Sequence, residues 1–190
     1  GGTKATLAGA GDSSWEGLNV DTPYPLTRPF DHQRRAALRS SDTLYAYDLP
    51  ALFEAAVEEE WINATKIGGM QGSDRPLMIM YTTELVVKNS NPSSAPDNWT
   101  MEDYLNGDLE LVQVNRGAGA NDVGMVAWLM ELKTVEYPNG RQVVLIANDI
   151  THNAGSFGTR EDVVFKLASE FAREKRIPRL YVAANSGARI

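Results

Sequence analysis

The stretch RLYVAANSGARI holds most of the residues whose types and spacing could do chemistry. A strand-like run, Leu180 to Ala184, leads straight into Asn185, Ser186, Gly187, Ala188 and Arg189. Small residues around a glycine leave main-chain N–H groups accessible and let a ligand come close to the backbone. A second loop of the same kind, Asn148 to Gly158, sets Gly155 and Gly158 on either side of Ser156 and Phe157. If a helix begins just after Ser186, its first amides have no intrahelical partner and carry partial positive charge. Such amides suit an anionic oxygen. Glycine also meets purely steric needs in strand-to-helix turns, so spacing by itself leaves a ligand site and a plain turn both open.

Other chemistries find less support. Ser156 and Ser186 lack the G-x-S-x-G setting of a serine nucleophile, and His152 sits on the same loop with no pattern linking it to either. Neither the dinucleotide pattern G-x-G-x-x-G nor the phosphate loop G-x-x-x-x-G-K-[ST] occurs in these stretches, and RGAGAND reads as a turn between strands.

The surrounding elements explain how the two loops could meet. RQVVLIAND is an unbroken apolar run from Val143 to Ala147, expected of a strand covered on both faces. TREDVVFKLASEFAREKR has helical spacing, with Val163, Val164, Leu167, Ala168 and Phe171 as its buried stripe. Thr159 with Asp162 resembles a capping box; Arg173, Lys175 and Arg176 suit the last turn, and Pro178 marks the stop. RLYVAA is expected as a second buried strand. Gln142 to Ala184 is therefore a strand–helix–strand crossover of parallel type, which brings both loops to one sheet edge, where α/β proteins place ligands.

Upstream, YDLPALFEAAVEEEW is the first clear helix, with Asp48 as its cap and Leu49, Leu52, Phe53, Ala56 and Val57 as its core face. TELVVK, DLELVQVNR and DVGMVAWLMELKTV read as strands, and Pro138-Asn139-Gly140 as a turn. WTMEDYLNG reads as a short helical turn; IGGMQGSDRP and NSNPSSAPDN read as loops. Residues 1–20 are expected to be a flexible lead-in, with DTPYPLTRPF extended and His32 to Arg39 a solvated basic arm. Residues 21–190 form the expected structured part.

With 190 residues the chain can bury one sizeable core. Its net charge of −7 argues against a phosphate-backbone binder, so no nucleic-acid partner is expected. The absence of cysteine removes disulfides, a thiolate metal site and a cysteine nucleophile. With only two histidines, His32 and His152, no metal is expected. No apolar run is long enough to span a bilayer and no signal-peptide pattern opens the sequence, so neither membrane insertion nor secretion is expected.

The phrases EYPNGRQVVLIANDITHNAGSFGTRED and RIPRLYVAANSGARI closely resemble the carboxyltransferase region of eukaryotic-type, multidomain acetyl-CoA carboxylase. The resemblance extends upstream through GMVAW, TELV, TLYAYDLPALF and PYP, from about Asp21 onward. It departs in Gly68 to Asp108 and at Thr151-His152-Asn153. It implies an α/β, crotonase-like fold of ββα units wound into a superhelix, of which this chain is the N-terminal portion only. It further implies carboxyl transfer from carboxybiotin, carried on a separate domain, to acetyl-CoA, giving malonyl-CoA for fatty-acid synthesis. The implied partners are the remainder of the carboxyltransferase domain, a second protomer in a homodimer and the biotin carboxyl carrier domain. The implied location is the cytoplasm or a plastid, and activity is expected only with the rest of the domain. On the same footing, the amides of Gly187 and Ala188 match the oxyanion-hole segment. Asn185, Ser186, Arg189, Gly155, Ser156, Phe157 and Gly158 are the implied substrate-side residues, with Arg189 either orienting the turn or meeting an anionic group. A crotonase-fold hydratase or isomerase is the alternative enzyme, requiring carboxylates over the acyl chain, of which the loops offer only Asp149. A non-catalytic fragment is the third reading.

Overall fold

The computed structural model describes residues 29–38, 43–67, 74–91 and 98–189. The expectations for residues 1–20, for most of DTPYPLTRPF and for the centres of the two upstream loops lie outside the described residues. The described residues form a mixed α/β structure. In chain order they run α1 (Pro29–Leu38), a 3-10 turn (Ala46–Asp48), α2 (Leu49–Ile67), β1 (Met80–Asn89), α3 (Met101–Asn106), β2 (Leu109–Val114), β3 (Met125–Leu132), β4 (Arg141–Asn148), α4 (Thr159–Lys175) and β5 (Arg179–Val182).

One five-stranded sheet has the order β2-β1-β3-β4-β5. All neighbours are antiparallel except β4 and β5, whose parallel register sets Leu145 beside Leu180 and Ala147 beside Val182. The expected crossover is therefore present, with α4 carrying the chain from β4 back to β5. The β3–β4 hairpin closes at Pro138-Asn139-Gly140: the Gly140 N–H donates to Tyr137 O at 2.9 Å, and Gly140 has φ +96°. That left-handed backbone favours glycine.

The central strands feed two cores, one on each face of the sheet. Met125, Ala127 and Leu129 of β3 join Val144 and Ile146 of β4 under α4, with Val163, Val164 and Ala168. The alternate residues Val126, Trp128, Met130, Leu145 and Ala147 pack with Ala46 and Leu49 on the opposite face. Period-2 alternation sends successive side chains to opposite sides, so a strand covered on both must be apolar throughout. The RLYVAA strand departs from its expectation. β5 is at the sheet edge, and Leu180 is 39% exposed because no described strand lies beyond it.

The buried face of α2 also differs in detail. Leu49, Val57 and Trp61 are buried and Phe53 is partly so, one residue per helical turn. Leu52 is 48% exposed and Ala56 is exposed. The helix presents only a narrow stripe, which clusters with residues of β3 and with Ile79 and Val135. Trp61, fully buried, donates from Nε1 to the Lys133 carbonyl at 2.7 Å. Asp48 lies in the 3-10 turn, and its carboxylate accepts from Arg35. α3 forms as expected, with a reciprocal Thr100–Asp103 capping box and Gly107 in the left-handed conformation.

The basic run upstream is not a solvated arm. Residues 29–38 are the helix α1, and Arg34 reaches Asp149, 115 positions away, at 2.7 Å. On β1, the buried Glu84 takes both Nε and Nη2 of Arg116, at 2.9 and 2.7 Å, and the Tyr47 hydroxyl at 2.9 Å. Burial and the Glu84 charge push the Tyr47 hydroxyl well above the usual tyrosine range, which keeps it a donor.

Trp61→Phe should destabilise the chain by about 1–3 kcal/mol, because it leaves the Lys133 carbonyl unpaired and a void beside it. Leu52→Ala should stay within about 0.5 kcal/mol. Urea midpoints at unchanged slope measure both.

Candidate functional site

The two loops singled out in the sequence do meet, at the C-terminal ends of β4 and β5. Phe157 and Ala188 form a parallel bridge. The Phe157 N–H donates to Gly187 O at 2.8 Å, and the Arg189 N–H donates to Phe157 O at 2.5 Å. Among the described residues no helix starts after Ser186; Ala188 is extended and bridged instead. In such a bridge the residues flanking Ala188 supply both hydrogen bonds, so the N–H of Ala188 itself points away from Phe157. That amide has no hydrogen-bond partner among the described residues, and the turn from Asn185 to Arg189 is exposed. The Gly187 N–H donates to Asn185 Oδ1 at 3.2 Å. Gly187 has φ +108°, and a side chain built there would meet nothing within 4 Å.

Asn148, the last residue of β4, joins the two strand ends. Its Nδ2 donates to Gly155 O at 3.1 Å, while its Oδ1 accepts from the Tyr181 hydroxyl at 2.6 Å and the Ala184 N–H at 3.2 Å. A Cβ on Gly155 would collide with the Ala184 carbonyl, so the first loop packs directly on the second. The loop reaches that position through three left-handed residues, Asn153 (φ +48°), Ala154 (φ +53°) and Gly155 (φ +67°). Asparagine and glycine tolerate this region, whereas alanine is strained there.

Ser156 is buried and engaged: its hydroxyl donates to Asn153 O at 2.7 Å and accepts from Arg189 Nη1 at 3.0 Å. Phe157 packs edge-on against Phe165 and Tyr181. Arg189 folds back under the turn. Its Nη1 also donates to Ser156 O at 2.8 Å, and its Nη2 donates to Glu161 Oε2 at 2.6 Å. The structure thus gives Arg189 the turn-orienting contacts of an internal ion pair.

Glu161 is the residue that sequence reasoning missed. It is 1% exposed, in the first turn of α4. Its Oε1 accepts from the Gly124 N–H at 2.9 Å, and its Oε2 accepts from the Gly158 N–H at 2.9 Å besides Arg189. The expected Thr159–Asp162 pair is displaced by one residue: Gly158 is the N-cap, so Glu161 stands third and reaches back to its amide. A glycine cap has no side chain to return the bond, leaving half a capping box. Gly158 permits a close approach: a Cβ there would collide with the Arg189 guanidinium and lie 2.9 Å from Glu161 Oε2, so this ion pair would have to shift.

Asp149 is the second buried carboxylate, with its side chain 0% exposed. Its Oδ2 accepts from Arg34 at 2.7 Å and from Asn121 Nδ2 at 2.9 Å, and its Oδ1 from the Thr151 amide at 3.0 Å and hydroxyl at 2.5 Å. Both oxygens are occupied by donors of the chain. No group of three or more histidine, aspartate or glutamate side chains among the described residues is placed to hold a metal ion.

Residues 135–190 match the carboxyl transferase domain family. The chain is 43% identical to acetyl-CoA carboxylase of Dictyostelium discoideum, over 98% of this chain and 8% of that protein. It is 41% identical to acetyl-CoA carboxylase 2 of Oryza sativa subsp. japonica, over 92% of this chain and 7% of that protein. For acetyl-CoA carboxylase of Schizosaccharomyces pombe the identity is 39%, over 90% of this chain and 7% of the relative.

The chain matches a carboxyltransferase fragment of multidomain acetyl-CoA carboxylases.

It spans less than a tenth of the length of these relatives. Within this carboxyltransferase segment the matched residues run from just before the β3–β4 turn through β4, α4 and β5 to the exposed amide turn. The upstream contacts, Arg34 and Asn121 on Asp149 and Gly124 on Glu161, lie outside that match but support the same two loops.

Two substitutions in the first loop should act in opposite directions. Ala154→Gly should stabilise by up to about 1 kcal/mol, since glycine carries no penalty in the left-handed region. Gly155→Ala should destabilise by at least about 1–2 kcal/mol, because it adds a strained φ and a backbone collision. Chemical denaturation of the two variants checks the signs.

Proposed function

We propose that this chain provides one side of the carboxyltransferase active site of an acetyl-CoA carboxylase, where acetyl-CoA becomes malonyl-CoA. One observation carries the reading: the exposed Ala188 N–H, which points away from Phe157 and has no partner among the described residues, beside a Gly187 where a Cβ would meet nothing within 4 Å. Proton loss from the methyl carbon of a thioester gathers negative charge on its carbonyl oxygen. A fixed amide donor lowers the barrier if it meets that oxygen in the transition state. Bound carboxybiotin would supply the activated carboxyl group and, once that group has left, a basic ureido nitrogen for the methyl proton.

The residues present fit that chemistry. The main-chain donors of Gly187 and Ala188 stand on an exposed turn, and a Cβ at Gly187 would meet nothing within 4 Å. The Gly187 N–H becomes available when Asn185, whose bond to it is long and exposed, turns toward the ligand. Asn185 and Ser186 offer the polar side chains of the rim. Gly155, Ser156, Phe157 and Gly158 form the wall behind, acting through backbone shape. Arg189 acts from beneath, by holding the turn. The engagement of both Asp149 oxygens disfavours a hydratase or isomerase, which needs a free carboxylate near the acyl chain.

The larger setting belongs to the same proposal. β3, β4 and α4 form one ββα unit, the repeat from which a crotonase-like superhelix is built. The open β5 edge suits the continuation of that fold, with the rest of the carboxyltransferase, a second protomer and a biotin carrier domain completing the site in the cytosol or a plastid. No helix among the described residues is long and apolar enough to cross a membrane.

The test is made in the multidomain enzyme carrying this segment, followed as biotin-dependent decarboxylation of malonyl-CoA. Replacing the Ala188 peptide N–H by an ester oxygen, through α-hydroxy acid incorporation, should lower kcat by about 10²–10³-fold. KM for malonyl-CoA should change by less than about 3-fold, since a donor used only in the transition state leaves ground-state binding intact. Gly187→Val, which cannot keep φ +108°, should show the same pattern. An ester enzyme with undiminished kcat refutes the assignment.

A further inference from the structure

Glu161 sits behind the exposed turn and is not exposed to solvent, yet three separate segments converge on its carboxylate. Gly124 comes from the strand entry before β3, Gly158 from the end of the first loop, and Arg189 from the second. Arg189 in turn flanks Ala188, and its own N–H makes one of the two bonds of the Phe157–Ala188 bridge. The direction of the Ala188 amide is thus set by a bridge with Arg189 at one end, and the Arg189 side chain is fixed by Glu161 and Ser156.

We propose that Glu161 is a positioning residue for carboxyl transfer, aiming the Ala188 amide through Arg189 without touching substrate. The proposal rests on the donor role assigned above to Ala188. Its chemistry is specific to a carboxylate. The two oxygens accept from three N–H groups, so every donor meets an acceptor. Glutamine offers one oxygen and one NH2. Either orientation turns N–H donors toward N–H donors, against Gly124 on one side or against Gly158 and Arg189 on the other. In the first orientation Arg189 keeps a neutral acceptor in place of its ion pair, and in the second it keeps only its contacts to Ser156. The fork geometry explains the choice of arginine too: Nη1 serves Ser156 while Nη2 serves Glu161, a split that one ammonium group cannot reproduce.

A double-mutant cycle in the multidomain enzyme tests this, with malonyl-CoA decarboxylation as the readout. Glu161→Gln and Arg189→Met should each lower kcat at least about 10-fold, with KM for malonyl-CoA within about 3-fold. Because the two act in series, the double variant should be no more than about 3-fold slower than the worse single. Arg189→Lys keeps the cation on a partly exposed side chain and one bond to Glu161, so it should fold and recover at least about 3-fold in kcat over Arg189→Met. Multiplicative losses in the double variant overturn the proposal, as does a raised KM at unchanged kcat. If Glu161→Gln fails to fold, Arg189→Lys against Arg189→Met decides: equal kcat values overturn it. The Ala188 ester enzyme separates the two ideas. Full activity there removes the donor reading itself, whereas a slow ester enzyme with an additive cycle removes only the role of Glu161.

Discussion

A carboxylate removed from water must find donors for both its oxygens, and it organises whatever supplies them. Glu161 imposes that constraint at the start of α4. Its charge suits the positive end of the helix, and its three donors come from the entry to β3, the end of the first loop and the second loop. Each partner lies on a different segment, so satisfying one carboxylate fixes three pieces of chain relative to the sheet. The collisions that a Cβ on Gly158 would make show how closely the pieces approach.

The same device recurs on the other side of the first loop. Asp149 is closed off by Arg34, Asn121 and Thr151, which ties α1 to the end of β4. Asn148, beside it, uses its amide on the first loop and its carbonyl on Tyr181 and Ala184. These ties hold the loop in three consecutive left-handed residues, one of them alanine. Local strain of that kind persists where surrounding contacts over-determine the backbone. Chemistry performed by main-chain amides needs this support, because an amide has no rotamer of its own and can be aimed only by placing its peptide.

The legible and illegible parts of the sequence follow from the range of the forces involved. The Val143 to Ala147 run announced a doubly covered strand, and Val144 and Ile146 do face one core while Leu145 and Ala147 face the other. The stripe of α4, the Pro138-Asn139-Gly140 turn and the short helix α3 are equally local and were readable. β5 carries the same apolar signal as β4, but the residues within it do not record what lies beside a strand. α1 read as a solvated basic arm because a charge run carries no mark of a distant buried partner. The α4 cap was misread by one residue: Thr159 looks the better cap by side chain, while Gly158 holds the position and has no Cβ to displace the Arg189–Glu161 pair.

By itself the sequence determined the secondary-structure periods, the parallel crossover, the meeting of two glycine-bearing loops at one edge, and a family resemblance concentrated in NDIT, GSFG and ANSGARI. These depend on neighbours along the chain or on short motifs. Only the tertiary structure decided that the turn after β5 bridges to Phe157, with no helix starting there among the described residues, and that Arg189 folds back onto Ser156 and Glu161. It also decided that Glu161 and Asp149 are structural anchors and that the Ala188 amide points away from Phe157, with no partner among the described residues. Each of these turns on which donor reaches which acceptor across many residues, a matter of three-dimensional distance that no local pattern encodes.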